Sequence, residues 1–366
     1  MTEPDPPDGH GHPAQAGSTP ARHAGMAAGR TARFARSSTL ETVLDEIGGA
    51  IDCARDDALH PPYGTPRQPP VMIVGAPRSG TTLMLQWLAR QAAFAYPSNL
   101  AARFWRNPYF GARVQQALAD HDSANMLGLN GGFDFKSDLG HSRGALAPSE
   151  FWYFWRTCFA FPESGPLPPH ALAQADWPRF LEGLAGLEAA FDKPVALKAM
   201  IANWNIADIS ARLDKGLFIN VERDPVSAAL SLLSARERFF ANRARWYSFR
   251  PAEAPALDRL SPPEQVAGQV FFTRLAVKAQ LARLPQGRHV TVSYRDFCAD
   301  PKALRQRIEA AFADQGAALS PGYDGPAAFD HRGHTGDAGD RAAITAMLDR
   351  LAAEHGSSSM LDESSP

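Results

Sequence analysis

The chain has 366 residues, 45% of them hydrophobic and 21% charged, with a formal net charge of −2 at pH 7. That length buries a large core, as one big α/β domain or two smaller ones. The near-zero charge excludes a global pull toward nucleic acid or anionic lipid, so any attraction for anions has to be local. The three cysteines, Cys53, Cys158 and Cys298, have neither metal-ligand nor disulfide spacing. They read as small buried hydrophobes in a reducing, cytoplasmic compartment.

Residues 1–38 are rich in Pro, Gly, Ala and His without apolar periodicity and read as a disordered tail. His10, His12 and His23 are scattered through it and read as incidental rather than as metal ligands. Glu3 and Asp5, with no apolar stretch after them, argue against a secretory leader, and Met26 is a second candidate start. No run of about eighteen apolar residues occurs, so no membrane span is expected. One domain is expected over residues 39–355, followed by a flexible tail over 356–366.

In chain order, Thr39 to Arg55 reads as an amphipathic helix with Leu40, Val43, Leu44, Ile47 and Ile51 on one face. A proline-rich approach, His60 to Pro70, leads to the apolar run Val71-Met72-Ile73-Val74, a buried strand. A glycine-rich turn and a helix beginning with Leu83 follow. Asn99 to Ala119 reads as helix, and Asp122 to Pro148 as a long irregular, functional loop. Helices are expected over Glu150 to Phe159 and Trp177 to Phe191, and strands at Val195 to Lys198 and Leu217 to Val221. The longest helix is expected from Pro225 to about Tyr247, another from Pro262 to Leu284, then a strand at His289 to Ser293 and a helix from Pro301 to Phe312. Strands alternating with helices predict an α/β fold around a mostly parallel sheet.

The segment Gly75-Ala76-Pro77-Arg78-Ser79-Gly80-Thr81-Thr82 carries the chemistry. A strand, a tight glycine loop and a helix start make an anion cradle, because loop amides and the helix dipole both favour negative charge. A nucleoside triphosphatase loop reads G-x-x-x-x-G-K-[ST]. Gly75 and Gly80 have that spacing, but Thr81 stands where the lysine belongs, and Arg78 supplies the only full positive charge. The site suits a phosphate-like donor and lacks the usual means of handling a triphosphate with its metal. Arg223 sits at the carboxyl end of a second strand, where open α/β sheets bind ligands. Asp224-Pro225 opens a helix there, and Ser231 lies about two turns on, within reach of the same groove. Alone, Arg223 reads as a surface salt bridge to Glu222 or Asp224; beside the glycine loop the ligand reading is preferred.

Pro77 to Leu83 resembles the 5′-phosphosulfate loop of sulfotransferases that use 3′-phosphoadenosine 5′-phosphosulfate, and Arg223 with Ser231 resembles their grip on the donor's 3′-phosphate. Val195 to Lys198 is similar to a strand ending in lysine found in many bacterial members. Tyr294-Arg295-Asp296 resembles a late tyrosine-glutamate-aspartate element, with Arg295 in place of the glutamate. His331-Arg332-Gly333 partly resembles the arginine-lysine-glycine segment that reaches the 3′-phosphate; an ordinary glycine-rich loop is the other reading. The resemblance spans roughly Val71 to Asp337 and implies a P-loop-like three-layer fold, its central sheet flanked by helices. It implies that Pro77, Arg78, Ser79, Gly80, Thr81, Thr82, Arg223, Ser231, Arg332 and Gly333 bind the donor, with Arg78 and Lys198 neutralising charge that develops during transfer. No metal is implied.

Transfer to a hydroxyl needs a group to take the acceptor's proton. His141, in the glycine-rich loop, and Glu150, beside Phe151-Trp152-Tyr153-Phe154-Trp155, are the candidates. Family members often carry a glutamate soon after the loop helix, where Tyr96-Pro97-Ser98-Asn99-Leu100 has none. A satisfied loop histidine and a helix-start carboxylate are the plain alternatives. The aromatics 151–159 read mainly as core, with some facing a groove, and Arg236, Arg238, Arg243 and Arg245 as a solvated helix face. The reading that results is a sulfotransferase acting on a hydroxyl of a carbohydrate or small molecule. A magnesium-dependent kinase or nucleotidase and a non-catalytic nucleotide-binding protein are the alternatives.

Overall fold

Four apolar runs align into one sheet because each is flanked by helices that bury both of its faces. The computed structural model describes residues 30, 31, 34, 37–54, 59–121, 124–129, 132–331 and 333–356. Its first half contains α1 (Ser38–Cys53), β1 (Val71–Val74), α2 (Thr81–Arg90), α3 (Pro108–His121), β2 (Ser137–Asp138), β3 (His141–Ser142), α4 (Trp152–Cys158), α5 (Pro169–Ala173) and α6 (Trp177–Phe191). The second half contains β4 (Ala196–Lys198), α7 (Ile206–Ser210), β5 (Leu217–Glu222), α8 (Pro225–Phe240), α9 (Ala254–Leu257), α10 (Pro262–Leu281), β6 (His289–Ser293), α11 (Tyr294–Ala299), α12 (Pro301–Ala313) and α13 (Ala338–Glu354).

The sheet order is β4-β1-β5-β6, with every pairing parallel. Alternate strand residues face opposite layers. Met72, Val74, Leu197 and Phe218 pack against Phe154 and Trp155 of α4, Phe180 and Leu184 of α6 and Ile206 of α7. Val71, Ile73, Ile219 and Val221 face Met84 and Leu88 of α2 and Leu304 and Ile308 of α12. Each such buried side chain contributes about 1.5–3 kcal/mol of burial energy. A separate cluster joins α8, α10 and α13 through Leu232, Val270 and Leu348. The fold is therefore α/β, a central parallel sheet between helical layers.

Helix starts follow the sequence closely, because Asp224-Pro225, Asp300-Pro301 and Ser261-Pro262 put a capping side chain before a proline that has no amide to satisfy. Asp224 accepts from the Ser227 amide, and Ser261 and Glu264 form a capping box. Helix ends follow it less well. The helix expected to reach Tyr247 stops at Phe240, where Ala241 takes a left-handed φ of 53°, so α10, with 20 residues, is the longest. The single helix expected over 99–119 is a 3-10 turn (Ala101–Phe104) and α3, divided where Pro108 can only start a helix. The irregular loop holds the hairpin β2/β3. Helix α13 was not expected, although Ile344, Met347, Leu348 and Leu351 have helical spacing and are all buried.

Two expectations about side chains are corrected. Arg236 is 0% exposed and donates to Gln265 (2.7 Å) and Gln269 (3.1 Å), so it ties α8 to α10 instead of lying on a solvated face. Cys158 and Cys298 are buried, but Cys53 is exposed. Among the described residues, no helix is long and apolar enough to cross a membrane.

Candidate functional site

The sheet register brings the sequence motifs together. Val74 lies opposite Asn220 of β5, and Ile73 opposite Lys198 of β4, so three neighbouring strands end on one edge. The turn after β1, Arg223 after β5 and Lys198 at the end of β4 therefore meet. The turn is held tightly. Asn203 clamps Gly75 from both sides, donating to its carbonyl (2.8 Å) and accepting from its amide (3.2 Å). A Cβ on Gly75 would sit 2.7 Å from the Val221 carbonyl, so only glycine allows this approach to β5.

Gly80 takes the N-cap position of α2 with φ 106° and offers no side-chain cap. The first-turn amides of α2 thus point outward without intrahelical partners, which is an anion-binding arrangement. Ser79, next to Gly80 in the chain, is 1% exposed, and its Oγ has no hydrogen-bond partner among the described residues. An uncapped helix start in a glycine-rich turn fits a bound phosphate or sulfate group. Thr81 Oγ1 donates to the Met200 sulfur (3.1 Å), and Arg78 holds a left-handed φ of 67°.

Arg78 turns toward α8, its Nε donating to Ser231 Oγ (3.1 Å), while Arg223 Nη1 donates to the Arg78 carbonyl (3.1 Å). Burial pushes the Arg78 guanidinium below its ordinary pKa. Glu222 pairs with Arg274 (3.3 Å), and Asp224 caps α8. The Arg223 guanidinium lies 4.9 Å from the centroid of the Tyr294 ring, and that ring also packs against Gly80 and, at 5.6 Å, His331. Burial pushes the Tyr294 phenol up to about 12. The 333–336 segment runs along α8, with Gly333 near Ser227 and Gly336 against Leu230. Arg332 lies outside the described residues.

A second cluster centres on Lys198, whose side chain is 6% exposed. Its Nζ donates to Thr82 Oγ1 (3.0 Å) and ion-pairs with Glu150. The hairpin turn closes over this group. At Gly140, φ 92°, a Cβ would lie 3.1 Å from Glu150 Oε1, 3.4 Å from Thr82 Oγ1 and 3.8 Å from Lys198 Nζ. The hairpin is anchored by Arg238 to Asp138 (2.6 Å), Tyr247 to the Leu139 carbonyl (2.7 Å) and Gln86 to Ser142 (2.9 Å). Burial and the nearby Glu150 carboxylate push the Tyr247 phenol well above its ordinary range. His141 stands one residue beyond Gly140, exposed and facing the Phe34 and Phe239 rings. The structure thus sets Glu150 against Lys198 and His141 against an aromatic wall.

Both clusters open into one cavity of ≈860 Å³. Pro77, Arg78, Gly80, Thr81, Thr82 and Arg223 line it together with Trp152, Trp204, Tyr247 and Phe249. Of the aromatics 151–159, Phe154, Trp155 and Phe159 are core, and Trp152 reaches the cavity. Sequence reasoning gave no role to Asn203, Gly140, Tyr247 or Tyr294. A polar residue just past a strand's carboxyl end was the available signal for Asn203; Gly140 and Tyr247 act through distant partners.

A sulfotransferase family model matches residues 69–313, about two thirds of the chain, and the chain belongs to that family. It is accordingly a transferase by family, and the match takes in the glycine turn, Glu150, Lys198, Arg223 and Tyr294. Among solved structures, the chain is similar to the sulfotransferase STF1 of Mycobacterium tuberculosis H37Rv, at 16% identity over 88% of this chain and 83% of that one, with a TM-score of 0.46. It is also similar to STF9 of Mycobacterium avium, at 14% identity over 89% of each chain, TM-score 0.45, and to a sulfotransferase of Alicyclobacillus acidocaldarius, at 14% identity over 80% and 96%, TM-score 0.40. A comparison with curated proteins finds no match.

Proposed function

We propose that the chain transfers the sulfuryl group of 3′-phosphoadenosine 5′-phosphosulfate to a hydroxyl of an acceptor held in the aromatic half of the cavity. The observation that carries this reading is the opening of the uncapped start of α2 and the Lys198–Glu150–Thr82 cluster into one cavity. The α2 amides, Ser79, Thr81 and Thr82 receive the 5′-phosphosulfate. Arg223 and Ser231, with the 331–336 segment beside them, receive the 3′-phosphate through charge-assisted contacts. A full charge and a hydroxyl grouped at one helix suit that extra phosphate better than the terminal phosphates of ATP.

In the transfer, the acceptor oxygen–sulfur bond forms as the bond between sulfur and the bridging oxygen breaks. Glu150 takes the acceptor's proton. Lys198, already shared between Thr82 and Glu150, offers its ammonium to the negative charge that grows on the leaving phosphate, and Arg78 adds a second cation from the loop. Glu150 is preferred to His141 as base because it touches the lysine that faces the reacting atoms. The hairpin turn at Gly140 covers the cluster and keeps water from competing with the acceptor.

Thermal unfolding with nucleotides tests the donor reading. The product nucleotide, 3′-phosphoadenosine 5′-phosphate, should raise the melting temperature well beyond ADP or ATP at equal concentration, since a ligand that binds only the native state stabilises it in proportion to occupancy. In Arg223→Ala its binding should weaken by about 1.5–3 kcal/mol, the range for hydrogen bonds to charged groups. Equal stabilisation by all three nucleotides refutes the reading of a 3′-phosphate.

A further inference from the structure

Strand β5 is buried along its whole length, yet it carries two polar side chains on one face, Asn220 at 4% and Glu222 at 8% exposed. A carboxylate placed there needs a cation and hydrogen bonds to offset its lost hydration. It has both. Asn220 Nδ2 donates to one Glu222 oxygen (3.1 Å), and Arg274 of α10, itself 5% exposed, pairs with the other through Nη2 (3.3 Å). Arg274 Nη1 also donates to the Arg223 carbonyl (3.4 Å), so one guanidinium bridges Glu222 and the residue that follows it. On its other side Asn220 Oδ1 lies 3.5 Å from the place a Cβ on Gly75 would take. A line of buried polar groups thus runs from the glycine turn along the end of β5 to α10.

The residues one turn from Arg274 on α10, Val270, Phe271 and Val277, are buried and apolar. An ion pair inserted among them is weak support for stability, because its desolvation offsets much of its Coulombic gain. Its position suggests a different use. Glu222 immediately precedes Arg223, at the strand end that receives an anion in the donor reading. An unneutralised carboxylate there would repel the incoming phosphate and compete for Arg223. Among the described residues, Arg274 is the cation paired with Glu222. We propose that Arg274 is a positioning residue for the donor's 3′-phosphate: it holds the Glu222 carboxylate neutralised and the Arg223 backbone in place, and so acts on the phosphate through Arg223. This deepens the donor reading and rests on it for the identity of the anion.

Calorimetry on the full chain compares 3′-phosphoadenosine 5′-phosphate with adenosine 5′-phosphate, which differs only in lacking the 3′-phosphate. The ratio of the two affinities reads 3′-phosphate recognition, and binding of adenosine 5′-phosphate shows that each variant is folded. In Arg274→Gln the ratio should fall by about tenfold or more, the effect of one like charge within several ångströms at a protein-like dielectric. Glu222→Gln breaks the same pair from the acidic side, yet should keep the ratio or raise it, because no carboxylate remains. Glu222→Gln/Arg274→Gln should recover most of what Arg274→Gln loses, a non-additivity that a merely structural pair does not give. Where Arg274→Gln loses adenosine 5′-phosphate binding as well, Glu222→Gln and the double variant decide. An unchanged ratio in Arg274→Gln, a fall in Glu222→Gln as large as in Arg274→Gln, or a double variant no better than Arg274→Gln overturns the positioning role alone. A wild type that binds both nucleotides equally overturns the donor reading and this inference with it, so the two failures are distinguishable.

Discussion

Replacing Glu150 with glutamine probes the centre of the proposed chemistry. Glutamine keeps the shape and one acceptor oxygen but removes the charge beside Lys198. The pair is well buried, with side chains 18% and 6% exposed. Deleting one member of such a pair outright costs about 3–5 kcal/mol. Glutamine still accepts from the ammonium, so the loss is the difference between a charged and a neutral hydrogen bond, about 1–2 kcal/mol. For a chain of this size that lowers the melting temperature by a few degrees, at ~2–4 °C per kcal/mol. Turnover should fall far more, by about 10²–10⁴-fold, the usual contribution of a general base; that corresponds to ~3–5 kcal/mol of barrier. Single-turnover sulfonation at a temperature where both proteins are folded separates the two losses. Binding of 3′-phosphoadenosine 5′-phosphate should change little, because its contacts come from the loop, β5 and α8. His141→Asn is the companion variant and should retain most activity, since its ring faces Phe34 and Phe239 rather than Lys198. A Glu150→Gln enzyme with more than about a tenth of normal turnover, or a His141→Asn enzyme with far less, refutes the assignment of the base.

Further outcomes follow from the loop and its surroundings. Asn203→Ala leaves the Gly75 amide and carbonyl, both now paired with that side chain, without partners in the core; at about 1–3 kcal/mol for each unsatisfied group, denaturant unfolding should show a loss of ~2–6 kcal/mol together with weaker nucleotide binding. Gly80→Ala places a methyl 2.2 Å from the Tyr294 ring at a φ of 106°; left-handed strain of about 1–2 kcal/mol plus overpacking of ~1–3 kcal/mol should lower the melting temperature, and relief in Gly80→Ala/Tyr294→Leu would identify the ring as the obstacle. Burial, with Arg223 and Arg78 nearby, lowers the His334 pKa, so the unfolded chain binds the proton more readily and the stability this group contributes is lost as pH falls through its ordinary range. An anion between those arginines reverses the field on the imidazole. The affinity ratio of wild type to His334→Asn for 3′-phosphoadenosine 5′-phosphate should therefore rise from pH ~7.5 to ~5.5, the range in which histidine titrates; a flat ratio by calorimetry refutes the coupling.

Much of this site was written locally. The strand Val71–Val74, the spacing of Gly75 and Gly80, and Asp224-Pro225 after an apolar run are signals carried by neighbours in sequence, and they set strand, turn and helix start without help from the rest of the chain. The parallel sheet follows from strands alternating with helices. Residue chemistry alone also separated Thr81 from the lysine of a triphosphatase loop. Where local signals conflict or run out, packing decided. Ala241 ends α8 in a left-handed turn that nothing in its side chain demands, and Arg236 is buried because Gln265 and Gln269, on another helix, satisfy it.

The sequence nominated both Glu150, beside bulky aromatics, and His141, in a glycine-rich loop, with only a slight preference for Glu150. Only the tertiary structure puts Glu150 on Lys198, 48 residues away, and turns His141 to an aromatic wall. Similarly, Gly140 looks like any turn glycine until the hairpin sets it over Glu150, Thr82 and Lys198. The physical reason is general to the site. An anion cradle is built from backbone amides and a helix start, which contiguous residues specify. The proposed proton-transfer centre pairs opposite charges at contact distance, and here those charges come from the end of a strand and a helix approach that only the folded sheet brings together.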